Sequence, residues 1–230
     1  MKNKTAVLFF FICLFLTDKP CICQNTLPAD SQNQSFSLSA EQLVKRLEKR
    51  YTVADFSATF FQESTLKAMD ITDTATGKVW FKRPGMMRWE YETPEKYAII
   101  SDGTTLWIFR PEDNQVVVGD AMAYFGNGKG ASFLSNFKLV KDVYLLSLAD
   151  PENDDQYRLK LAPHQKQLDL SAIFLNIDKK TFNIKSVQTL NAYNDETRIE
   201  FSDLIFDPDM KASLFNFQIP DGADVVKLDE

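Results

Sequence analysis

The alternation of apolar and polar residues divides the chain into a short helical start and a long β-rich body. Leu43, Leu47 and Tyr51 recur at helical spacing with Val44 beside them, while Lys45, Arg46, Lys49 and Arg50 fall on other faces. Ser39 stands ahead of this run with Gln42 three residues on, the pattern of a capping box. Leu38 and Leu43 are placed to form a hydrophobic staple around it. The spacing predicts an amphipathic helix with one side to pack. From Asp55 the period changes to two. Phe56, Ala58 and Phe60 alternate with Ser57, Thr59 and Phe61, and a second strand over 78–83 ends at Pro84-Gly85. Met87, Trp89 and Tyr91 then alternate with Arg88, Glu90 and Glu92. Ser101-Asp102-Gly103 between the apolar runs 97–100 and 104–109 is a hairpin signal, and a further strand over 115–118 follows the turn at 111–114.

Residues 120–140 break this rhythm. Ala121, Met122, Tyr124 and Phe125 precede Gly126, Gly128 and Gly130, after which Phe133, Leu134 and Phe137 return to helical spacing. The segment reads as two short apolar helices on a hinge, inserted between strands. Alternation resumes over 143–148, 157–162, 172–177, 184–190 and 197–206, with a further short strand at 216–219. The expected architecture is mainly β with a helical lid (α+β). About ten or eleven strands form one large antiparallel sheet that must curl, with an N-terminal helix and a short internal helical insertion.

Composition adds a compartment. Lys2 and Lys4 precede an uninterrupted apolar run over 6–16, the length of an export-signal core and too short to span a bilayer. Residues 1–23 are read as a signal peptide, with cleavage between 23 and 29. Residues 24–36 are a polar, disordered leader, and 37–230 form a single domain. Cys13, Cys21 and Cys23 all precede the domain, which is therefore built without a disulfide. None follows the small residue that a lipid-modified cysteine requires. Of 26 basic and 32 acidic residues, 1–23 hold Lys2, Lys4, Lys19 and Asp18, so 23 and 31 remain, a net charge of about −8. Such a body repels nucleic acid and anionic surfaces at long range.

Catalytic chemistry has little to work with. His164, after Pro163, is the one histidine, and no nucleophile elbow accompanies it. No metal site is expected, because such sites draw on several His or Cys ligands. Asp150, Glu152, Asp154 and Asp155 lack the spacing of a calcium loop and read as a solvated turn. A phosphate-binding glycine loop is absent from the sequence, and no cofactor is expected.

Apolar surface stands out instead. Phe60 beside Phe61, Trp80 beside Phe81, and 106–109 in a row put apolar groups on both faces of their strands. Either the second face is covered, as in an ordinary sandwich core, or a concavity holds something apolar such as acyl chains. Arg83 alternates in phase with Val79 and Phe81. It is either a strand-end arginine in water or a charge at the edge of the concavity, bonded to whatever covers it.

The run from Trp80 through Lys82-Arg83-Pro84-Gly85 to Trp89-Glu90-Tyr91, then Pro94, Ser101-Asp102-Gly103, Leu106-Trp107 and Gln115-Val116, resembles the outer-membrane lipoprotein carrier family, LolA. Residues 56–62 resemble its first strand, and Phe217, Pro220, Gly222 and Val225 its C-terminal end. The resemblance implies an unclosed half-barrel with helices over its concave face, acting as a monomeric periplasmic chaperone with no enzymatic role. It implies acylated lipoproteins as cargo, an inner-membrane ABC-type release complex as donor, and an outer-membrane acceptor or the membrane itself as recipient. By position, Val79, Phe81, Met87, Trp89 and Tyr91 would form the lipid-binding cavity, with Met87 at its rim. Phe125, Phe133, Leu134 and Phe137 would form the lid, and Arg83 its latch. Two alternatives stay open: a carrier or sensor of the same fold for another lipid or glycolipid, and a periplasmic hydrolase relying on His164.

Overall fold

The computed structural model describes residues 38–52, 54–125, 132–135, 137–166, 168–207 and 209–228. The expected signal peptide, the leader and the three glycines of the expected hinge lie outside the described residues. Helix α1 (Ala40–Tyr51) begins as its sequence requires. Ser39 Oγ accepts from the Gln42 N–H at 3.2 Å, and Gln42 Oε1 accepts from the Ser39 N–H at 2.9 Å. Leu43, Val44, Leu47 and Tyr51 are buried on one face.

The body is one twelve-stranded sheet in the order β12-β6-β5-β4-β3-β2-β1-β11-β10-β9-β8-β7. The first meander comprises β1 (Asp55–Leu66), β2 (Ile71–Lys82), β3 (Met86–Thr93), β4 (Tyr97–Asp102), β5 (Thr105–Arg110) and β6 (Gln115–Asp120). The second comprises β7 (Tyr144–Ala149), β8 (Gln156–Pro163), β9 (Ala172–Asp178), β10 (Ile184–Leu190) and β11 (Glu196–Asp207). The long strands β1 and β11 zip the two together, with Phe60 opposite Phe201. The hairpins are short and antiparallel, as their turn residues predict. Asp102 Oδ1 accepts from the Thr104 and Thr105 N–H groups, and Gly103 takes φ +98° in that turn.

Two connections cannot be hairpins. β6 and β7 lie at opposite sides of the sheet, so the chain between them must cross a face. It does so through α2 (Ala121–Phe125), the 3-10 turns Ser132–Ser135 and Phe137–Leu139, and α3 (Val140–Val143). Phe133, Leu134 and Phe137 are buried in the same apolar cluster as Phe81, Trp89 and Leu159. Likewise β11 is central while β12 (Asp224–Lys227) pairs with β6 at the far edge, so the chain over 209–223 crosses as well. That crossing takes the other face: the 3-10 turn Ala212–Phe215 packs on β3 and β4, and Phe217 meets the rings of Trp107 and Phe109 at 6.2 and 5.2 Å.

This accounts for the apolar run over 106–109, while Phe61, on the opposite face from Phe60, is exposed. Ile100, Val116, Trp107 and Phe109 point away from the side lined by Trp89 and are covered by the C-terminal crossing. The strand expected at 216–219 is therefore corrected. Those residues lie flat on the sheet rather than joining it, and the twelfth strand forms after Gly222 (φ +72°), running parallel to β6. The sheet has twelve strands rather than ten or eleven.

Candidate functional site

Register places one side chain from every second residue of β1, β2 and β3 on the concave face. Phe60, Val79, Phe81, Met87 and Trp89 are buried there, and Tyr91 is half-buried. Their rings interlock edge to face: Phe60 lies 5.0 Å from both Trp89 and Tyr91, and Phe81 lies 5.8 Å from Trp89. Gly77 faces Phe60 across the β1–β2 pair. A Cβ there would come within 2.0 Å of the Glu90 carbonyl and 2.8 Å of the Phe60 ring, so only glycine allows that approach. Leu159, Leu161, Ile173, Leu175, Ile177 and Val187 continue the floor across β8, β9 and β10. Met87, which the resemblance places at the rim, is 2% exposed and belongs to the floor.

Three of the four expected lid residues, Phe133, Leu134 and Phe137, are fully within this cluster. Phe125 packs against it half-buried. Helix α1 supplies the rest of the cover, with Tyr51 stacked on Phe137 at 5.9 Å and edge-on to Phe56 at 5.1 Å. Across β3–β6 the floor is less covered: Tyr91, Tyr97, Ile99, Ile108 and Val117 are half-buried. Tyr91 and Tyr97 stack at 4.1 Å, and the Tyr91 hydroxyl donates to Gln62 Oε1 at 3.0 Å. Burial is the main reason the Tyr91 phenol is pushed above its ordinary pKa.

Polar bonds fasten the cover at its ends. Arg83 Nη1 donates to the Thr52 carbonyl at the C-terminal end of α1. The bond expected of Arg83 to the cover is therefore made to the helix, and among the described residues none runs from it to the internal insertion. Asp55, almost buried, organises it: its carboxylate takes Lys82 Nζ at 2.6 Å and the Arg83 backbone N–H at 3.2 Å, with Arg83 Nε at 3.9 Å. Tyr51 adds a second fastening, its hydroxyl accepting from the Ile184 N–H at 2.8 Å. Burial pushes the Tyr51 phenol up to about 12, against the lowering effect of that bond and of Arg50. Lys141 Nζ reaches Glu48 at 3.1 Å, tying α3 to α1.

The phase of Arg83 is readable in the sequence, but its partner is not, because Thr52 comes from an element that alternation does not orient. Asp55 and Tyr51 carry one signal only, a position at the helix–strand junction. The acidic turn is not simply solvated. Glu152 folds over the convex face, where Arg198 holds it through both oxygens at 2.9 and 3.0 Å and Arg158 lies 3.6 Å away. Those bonds, Arg198 foremost, lower its carboxyl pKa. His164 is exposed and donates its backbone N–H to the Val143 carbonyl. No group of metal-ligating side chains occurs among the described residues.

A single unclosed antiparallel sheet with an apolar concave face, covered by a helix and a crossing segment, defines the class of fold. The chain belongs to the LolA family: the family described as "Outer membrane lipoprotein carrier protein LolA" matches residues 51–218. An outer-membrane lipoprotein carrier protein of Chromohalobacter salexigens is 26% identical over 87% of this chain and 91% of its own length. Another, from Cupriavidus pinatubonensis, is 29% identical over 70% of this chain and 74% of its own. Among solved structures, an uncharacterized conserved protein from Thermus thermophilus shares the fold, with TM-score 0.54 and 15% identity over 82% of this chain and 99% of that one.

Proposed function

We propose that this protein is a periplasmic carrier that takes the acyl chains of lipoproteins onto its concave sheet face beneath the cover. On this reading it receives cargo from an inner-membrane, ATP-driven release complex and passes it to an acceptor at the outer membrane or to the membrane itself. The observation that carries the reading is the continuous apolar floor, roofed by segments that form no part of the sheet's hydrogen-bond ladder. The names of its relatives support the cargo class.

The mechanism follows from competition for one surface. Each acyl methylene buried contributes about 0.8 kcal/mol, and each cover side chain displaced gives back a comparable amount per unit area. Closed and loaded states then differ by a few kcal/mol, which permits both uptake and release. Arg83 biases the balance. Its bond to Thr52 exists only while the end of α1 is seated, so lifting the helix exposes a charge that must find water or cargo instead. Nothing in this cycle needs a covalent step or a cofactor on this chain.

The test is to purify the protein from a periplasmic extract and identify co-purifying lipid by mass spectrometry. Triacylated lipoprotein is the expected result. A free glycolipid would assign the fold to a different cargo, and an activity that vanished with His164→Ala would assign it to hydrolysis.

A further inference from the structure

A second concavity opens beside α1, where Phe182 and Phe206 pack at the margin of the apolar cluster. It is a groove of about 550 Å³ lined by Arg46, Lys49 and Arg50 of α1, Ala54, Thr181 and Phe182 of the β9–β10 turn, and Phe206 of β11. Among the described residues its lining contains three cations and no carboxylate, in a chain of formal net charge −6. Among the described residues Arg46 and Lys49 have no acidic partner. Arg46 lies over the Phe182 ring at 4.9 Å. Arg50 lies over Phe206 at 4.5 Å and is steered by Asn183 Oδ1, which accepts from its Nε at 2.8 Å. The turn's own carboxylate, Asp178, is turned away from service here. It accepts from the Lys180 and Thr181 N–H groups and the Thr181 hydroxyl.

Phe182 is the odd residue. It sits at φ +55°, a region that bulky side chains rarely enter and where a turn usually takes glycine or asparagine. The ring stacks on Tyr157 at 6.3 Å and packs against the apolar cluster, which holds it opposite Arg46. The result is a concave, aromatic-floored pocket with three guanidinium or ammonium groups on its wall. Its volume falls within the range of pockets that take small molecules, and it is far too small for a protein epitope.

We propose that this groove binds the phosphate headgroup of an anionic phospholipid at a membrane surface. Its cations match the phosphate oxygens, and the rings beneath Arg46 and Arg50 hold two of those cations on the groove wall. Because the rest of the body is acidic, capture is short-range and orienting: the protein is repelled by an anionic membrane except where this groove meets it. The groove adjoins the C-terminal end of α1, where Thr52 is held by Arg83, so headgroup binding engages the same helix that the latch holds.

The test is co-sedimentation of the purified protein with vesicles of phosphatidylcholine alone or with three parts in ten phosphatidylglycerol, using wild type and Arg46→Gln/Lys49→Gln. Wild type is expected to bind only the mixed vesicles, and the double variant to bind them on the order of tenfold more weakly or worse. Deacylated glycerophosphoglycerol should compete. Circular dichroism melting of the variant checks its fold, and loading with a triacylated lipopeptide, which uses the concave face, should be unchanged. Equal vesicle binding by both proteins, or none by wild type, overturns the proposal. Binding of inorganic phosphate in the groove without vesicle recruitment overturns the membrane assignment as well. Failure of wild type to load lipopeptide would count against the carrier reading while leaving this one standing.

Discussion

At the residue scale, Arg83 and Tyr51 make different claims. Arg83 is partly exposed, and Asp55 keeps Lys82 if the guanidinium is removed. Arg83→Leu should therefore shift the melting temperature by only a few degrees. It should nevertheless change the rate of lipoprotein transfer in a donor-to-acceptor assay severalfold, and unaltered transfer would show that Arg83 is no latch. Tyr51→Phe leaves the Ile184 N–H without its acceptor in a buried setting, which costs about 1–3 kcal/mol in urea denaturation. The phenol also predicts an alkaline signature. Its pKa is raised to about 12 in the folded state, against an ordinary value near 10. The stability it contributes is complete below pH 10 and is lost as pH rises from there towards 12. Wild type should thus lose stability more steeply than Tyr51→Phe across that window. Parallel curves would show that the hydroxyl is not held as described.

At the element scale, sheet and cover should behave as different materials. The amides of β8–β10 are bonded on both sides within the ladder, whereas the 3-10 turns Ser132–Ser135 and Phe137–Leu139 stand outside it. Hydrogen exchange should be faster in the cover than in those strands, and equal protection would argue against a cover that lifts. Phe137→Ala carries the same distinction into energetics. It removes a ring stacked on Tyr51 and should cost about 3 kcal/mol in the lipid-free protein but distinctly less in the loaded form, in which that ring has been displaced.

Elements are also where sequence reading succeeds and fails for identifiable reasons. The capping box at Ser39 and the Asp102-Gly103 turn are written in residues three or fewer apart, so local pattern suffices. The stretch around Phe217 looks the same whether it pairs with a strand or lies across one, because alternation reports only that one side is apolar. Glu152 belongs to an acidic run, and only the folded sheet brings Arg158 and Arg198 beneath it. The floor from Val79 to Tyr91 is legible as one face. The cations of α1 read simply as its wet side, since the rings they cover arrive from β9–β10 and β11, more than a hundred residues later.

At the scale of the whole molecule, topology explains why this sheet has a roof at all. Two meanders are zipped through β1 and β11, which sends β6 and β7 to opposite sides, and the link between them has to traverse a face. The second link, from β11 to β12, traverses the other face and closes it with Phe215 and Phe217. One face is thus sealed by the chain's end, while the other is roofed by α1 and the internal crossing, fastened at Thr52, Ile184 and Glu48. The carrier reading proposed above rests on that asymmetry.

Native mass spectrometry of the purified domain, with a triacylated lipopeptide and with the same peptide deacylated, puts the concave face itself to the test. One acylated peptide per chain is expected, with no complex of the deacylated form. The complex should be lost in Phe81→Glu provided that variant folds; Val79→Gln serves as a milder substitute. A complex that forms equally with both peptides, or with neither, would rule out acyl chains as what this face holds.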